Sequence, residues 1–136
     1  MGLDSYFRKP AENDEDDTEY QIITIEFDGR QPNLIGGMFS SNGQDGSFRG
    51  KCYEHLIGAL TLYSLYTEHM SNSDVMSITE SLRRALYEEK SEEYKVLRGW
   101  FDSENNYYNF DIEHVEDLYR VFNAFALEGC DLFGWW

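Results

Sequence analysis

The sequence predicts an α+β fold: a small antiparallel sheet packed against about three helices in a single domain spanning residues 1–136. Three observations carry this. Tyr20 to Asp28 alternates apolar and polar positions with β-branched enrichment, as a half-buried strand does. Three later segments repeat their apolar residues at helical spacing. The strand signals precede the helical ones instead of alternating with them, which argues against a doubly wound parallel sheet.

In chain order, an N-terminal arm carries Leu3, Tyr6 and Phe7, side chains worth burying. Residues 11–19 hold six acidic residues and no large apolar one, so they read as an acidic loop that repels itself. The strand at Tyr20 to Asp28 places Ile23, Ile25 and Phe27 on one face, and Gly29 ends it. A second short strand is expected over Asn33 to Phe39, weakened by Gly36 and Gly37 and preceded by Pro32. Gly36 to Gly50 holds five glycines among Ser, Asn and Asp, the composition of a long turn-forming loop.

Lys51 to Met70 is expected to be a central helix, apolar nearly all round through Cys52, Leu56, Ile57, Leu60 and Leu65. Ser71 to Asp74 punctuates. The next helix shows Val75, Ile78, Leu82, Ala85 and Leu86 at helical spacing, with Ser77 and Glu80 as a capping box for a late start. Tyr94 to Phe101 fits a strand or a short helix equally, because periodicity does not decide. Asp102 to Asn106 is a turn by composition. Asp111 is the expected N-cap of a last helix over Ile112 to Leu127, and Gly129 the stop beyond it. The tail from Cys130 to Trp136 is too apolar to stay in water, and packs on the body or on another chain.

Composition excludes several function classes. A length of 136 residues with 41% apolar content suffices for one core. Lys and Arg total 11 against 26 Asp and Glu, and the net charge of −15 repels polyanions, so direct nucleic-acid binding is not expected. Cys52 and Cys130 form no CxxC pair, which argues against a zinc site. Two free buried thiols and a single bridge both remain open. The N-terminus lacks the basic-then-apolar pattern of a secretory signal. The uncharged stretch from His55 to Thr67 is too short and polar to cross a bilayer. These features point to the cytoplasm.

No residue pattern compels a particular chemistry. The glycine loop suggests anion contacts through Gly43, Gly46, Arg49 and Lys51, yet it lacks the Gly-Lys-Ser/Thr ending of a P-loop. His55, His69 and His114 show no metal-ligand spacing, and the acidic run lacks the spacing of a calcium loop. Cys52 and His55 lie one helical turn apart, which neighbouring core positions explain. No catalytic residue, metal or cofactor is assigned. The aromatic content is the more unusual feature. Tyr and Trp concentrate at interface hot spots, so Trp100, Tyr107, Tyr108, Trp135 and Trp136, with Asp14, Asp16 and Asp17, form the candidate partner-binding set.

The opening Met-Gly-Leu-Asp-Ser-Tyr-Phe resembles the start of a loose group of small bacteriophage and prophage proteins of unknown function that begin Met-Gly-Leu-Asp-x-Tyr. The resemblance covers about seven residues. It implies a viral or bacterial source, with host cytoplasm as the compartment, and no activity.

The function expected from these features is non-enzymatic: an acidic protein–protein interaction module for a basic partner, in its concrete form a phage-encoded inhibitor that mimics polyphosphate. One alternative is a small-ligand or nucleotide binder using the Gly36 to Gly50 loop. Another is a structural, self-assembling protein whose C-terminal tail joins copies into a homo-oligomer.

Overall fold

In the computed structural model of the chain, which describes residues 2–11, 19–35 and 44–136, the two ends of the chain meet in the middle of one sheet. Strand β1 is Asp4–Ala11; Glu19–Gln21 is β2, Ser47–Phe48 is β3, His69–Met70 is β4 and Asp131–Trp135 is β5. All pairings are antiparallel, in the order β2-β1-β5-β4, with β3 also on β1. The register sets Tyr6 opposite Phe133, Phe7 opposite Leu132, and His69 opposite Phe133.

Strand alternation sends Ser5, Phe7, Met70 and Leu132 to the inner face, where all four are buried. Phe7 is the centre of the packing: its ring lies 5.0 Å from Phe122, 5.1 Å from Phe125 and 5.8 Å from Phe48. Burying a ring of this size stabilises by roughly 1.5–3 kcal/mol. The arm and the tail, the most apolar ends of the chain, therefore supply the central strands.

Among the described residues, four helices pack over the inner face. Helix α1 is Gly50–Leu60, α2 is Asn72–Tyr87, α3 is Glu92–Phe101 and α4 is Ile112–Leu127. The last has the predicted bounds. Asp111 caps it by accepting from His114 N–H, and His114 Nδ1 accepts the Asp111 N–H in return. Gly129 follows in the left-handed region at φ 81°. Along α2 the predicted apolar face is the buried one, but Ser71 caps it, so the start is early and Ser77 with Glu80 forms no cap.

Three expectations are corrected. The Tyr20 to Asp28 strand is paired only at its start, in β2. Ile23, Ile25 and Phe27 do turn toward the core and Ile22, Thr24 and Glu26 away, yet the segment runs along the body as extended chain, with Ile25 N–H donating to Gln44 O. Alternation reports which side is buried, and does not report whether a free strand edge lies beside it. Of the second expected strand, residues 33–35 are irregular and 36–39 lie outside the described residues.

The helix expected over Lys51 to Met70 ends at Leu60. Thr61 Oγ1 bonds back to Ile57 O and accepts the Tyr63 N–H, which diverts the backbone from helical pairing. A connector of residues 61–68 follows, plugged into the core by Leu65 while Leu62 points to water. Finally, the undecided Tyr94 to Phe101 segment is helical. Ser91 caps α3 by accepting the Tyr94 N–H, Glu92 and Glu93 sit in its first turn, and Arg98 in its last.

Candidate functional site

Helix α1 has two chemically different sides. Cys52, Tyr53, Leu56 and Ile57 face the core, whereas Lys51, Glu54 and His55, spaced three and four residues apart, share the side turned outward. Two connectors rise beside that outward side. The first brings Tyr66. Glu54 holds it down, accepting from Ser64 Oγ at 2.6 Å and from the Leu65 N–H at 2.7 Å.

The second connector joins α3 to α4 and brings Glu104, Asn105, Tyr107 and Tyr108. Asn106 fixes its shape by donating to the carbonyls of Phe101 and Phe110 and accepting the Phe110 N–H, and Asn109 takes a left-handed φ of 55°. Tyr108 packs over Cys52. Burial raises its phenol pKa, the Cys52 thiol adds to the shift, and Arg49 opposes it. The rings of Tyr107 and Tyr108 stand 5.4 Å apart at 78°, forming a corner.

Together α1 and the connectors enclose a pocket of about 440 Å³, open to solvent on one side. That lies within the range of roughly 300–1,000 Å³ typical of small-ligand sites. Tyr66 forms its far wall and, at 5.6 Å, meets the edge of Trp136. The aromatic surface continues from there to Trp135 at the end of β5, with Glu68 alongside.

The structure sorts the residues singled out from sequence. Tyr107 is 78% exposed, Trp135 69% and Trp136 47%, so these stand on the surface. Trp100 is 6% exposed and stacks on Phe110, so it is a core residue and is withdrawn from the partner-binding set. Asp14, Asp16, Asp17 and Gly43 lie outside the described residues. Lys51 joins Tyr107 and Tyr108 in the pocket, which places one residue of the ligand-binding set beside two of the partner-binding set.

Gly46 has a structural duty. At φ 83° its carbonyl accepts the Phe7 N–H, and a Cβ there would come within 2.9 Å of Phe7 O. Arg49 lies against Gly2, outside the pocket. Of the other lining residues, the sequence raises His55 only to set it aside, and it singles out none of Glu54, Tyr66, Glu104 and Asn105 as a site. They come from separate segments, and only the outward spacing of residues 51, 54 and 55 on α1 hints at a shared face.

A second polar cluster lies on the outer face of the sheet. Asp131 accepts from His69 Nε2 at 2.7 Å and from the Tyr20 hydroxyl at 3.0 Å. Phe133 stacks between His69, at 4.6 Å, and Tyr6, at 5.5 Å. This is an oriented histidine–carboxylate pair, and the two bonds to Asp131 fasten β4 and β2 across the sheet.

Much of the acidity is used internally. Asp45 accepts the Ser47 N–H, Asp74 the Tyr63 hydroxyl, and Asp117, buried in α4, the Asn33 N–H and the Arg30 guanidinium. Cys52 and Cys130 are free and buried. Among the described residues, no three His, Cys, Asp or Glu side chains gather as metal ligands, and no helix is long and apolar enough to cross a membrane.

No family model, curated protein or solved structure matches this chain. The functional reading therefore rests on the chemistry of these surfaces.

Proposed function

We propose that this chain is a non-enzymatic interaction module that docks on another protein through Trp135, Trp136 and Tyr66. The observation that carries this reading is the exposure of two adjacent tryptophans at the end of β5, a central strand of the sheet, in a chain whose Trp100 and most phenylalanines turn inward. Large exposed rings on a rigid support are the usual anchors of protein interfaces. Glu68 beside them and the net charge of −15 favour a partner whose contact surface is basic. The polyphosphate-mimic form of this reading rests on Asp14, Asp16 and Asp17, outside the described residues.

The test is affinity capture from bacterial lysate at low and high salt, using the wild-type chain and a Trp135→Ala/Trp136→Ala variant. A defined partner retained by the wild type, more weakly at high salt, and lost by the variant supports the reading. Retention of the same proteins by both chains, or of none at either salt, overturns it. Light scattering on the same pair tests the homo-oligomer alternative, which requires a larger particle for the wild type alone. Truncation at Gly129 is unsuitable, because it would remove β5 from the sheet.

A further inference from the structure

We propose that the pocket between α1 and the two connectors binds a neutral saccharide unit. This goes beyond the docking reading and shares with it only Tyr66, the far wall of the pocket.

Each ligand class makes a demand on the pocket. A phosphate or nucleotide needs an excess of positive charge, but the pocket sets Lys51 alone beside two carboxylates, Glu54 and Glu104, inside a chain of charge −15. A cationic ligand would have only Glu104 to pair with, since Glu54 is engaged by Ser64 and Leu65, and would meet the Lys51 ammonium. A lipid or other apolar ligand would bury ionisable groups without partners, which is costly. A sugar ring needs something else: a flat aromatic surface for its C–H face, and both donors and acceptors for its hydroxyl rim.

The pocket offers both. The Tyr107 ring projects into solvent beside the fixed Tyr108 ring, at 78° to it, so a ring lying on one would be flanked by the other. Lys51 donates, Glu104 accepts, and Asn105 and His55 do either. None of these four side chains has an intramolecular hydrogen bond or ion pair among the described residues, in contrast to Asp45, Asp74, Asp117 and Asp131, which are all engaged. The frame is held independently of any ligand: Glu54 of α1 ties down the first connector and Asn106 shapes the second. Little backbone ordering would accompany binding, a condition that favours weakly held, hydrated ligands.

The test is amide-resolved NMR titration of the full chain with maltose, cellobiose, lactose and N,N′-diacetylchitobiose in turn. Saturable shifts at Glu104, Asn105, Tyr107 and Tyr108 with at least one disaccharide are expected. Tyr107→Ala, at an exposed position that leaves the fold intact, should weaken that binding about tenfold, and Asn105→Ala should also weaken it. A second arm separates free sugars from sugars carried on protein: capture of a neoglycoprotein bearing the bound disaccharide should be competed away by the free disaccharide. The inference is overturned if no probe shifts these residues, if Tyr107→Ala binds as the wild type does, or if the free sugar fails to compete. Trp135→Ala should leave the titration unchanged, so that failure here and failure of the docking reading are read separately.

Discussion

Asn72 and Asp131 bind each other's neighbourhoods from opposite ends of the fold. The Asn72 N–H donates to Asp131 Oδ1 at 2.9 Å, and its side-chain amide donates to the carbonyls of Ala126 and Cys130, each at 3.0 Å. The first residue of α2 thereby closes the last turn of α4, whose carbonyls have no helical partner, and sets the point at which β5 begins.

Asn72→Ala should lower stability by about 1–2 kcal/mol, since the Cys130 carbonyl loses its donor and the Ala126 carbonyl keeps the Gly129 N–H. The urea midpoint measures the loss. Hydrogen exchange should localise it, with protection reduced at residues 130–133 before α2 opens.

How much of this arrangement was legible in the sequence varies by element. Helix α4 was legible to the residue because its cap, its apolar spacing and its stop all agree, from Asp111 to Gly129. α3 carried the same kind of signal in Ser91-Glu92-Glu93, obscured by a charged stretch that looks like a break. The sheet was legible as a class, but its membership was not. Pairing of β1 with β5 joins residues more than a hundred positions apart, and no local pattern encodes that contact. The pocket was half legible: Tyr107 and Tyr108 stand out by composition, while Glu104, Asn105 and His55 are ordinary surface residues until the connectors bring them together.

Stability should fall on the alkaline side. Burial pushes the Cys130 thiol from 9.0 up to about 11 and raises the Tyr53 phenol as well. In both groups the folded chain holds a proton that the unfolded chain releases sooner. Their contribution is therefore complete below pH 9 and is lost as pH rises toward 11 and beyond. Urea midpoints should decline across that window after a plateau near neutrality, and a flat profile would contradict the burial of these groups. In the same window the thiol-specific reagent should label Cys130 only as fast as the chain opens.

Gly46→Ala should destabilise by about 2 kcal/mol, from a left-handed backbone and a new contact with the Phe7 carbonyl. The site is on the loop that the alternative, ligand-binding reading of the sequence would use. Thermal unfolding separates the two roles. A lowered Tm shows that Gly46 is there to let the chain pass close to β1, and an unchanged one would return it to the surface.

The tryptophans give the sharpest contrast, because they differ in burial and not in kind. Trp100→Ala should cost roughly 3–5 kcal/mol through the cavity left against Phe110 and Phe101, whereas Trp135→Ala should stay within about 0.5 kcal/mol. Trp100→Phe should be milder than its volume loss suggests: the indole Nε1 is buried without a hydrogen-bond partner among the described residues, and phenylalanine removes that donor. Fluorescence assigns each residue. Trp100→Phe should abolish the blue-shifted component and leave emission that iodide quenches freely, while Trp135→Phe should remove quenchable emission and leave the protected part. If iodide instead quenched Trp100 as readily as Trp135, the ring would not be in the core, and the packing of α3 on Phe110 would have to be abandoned.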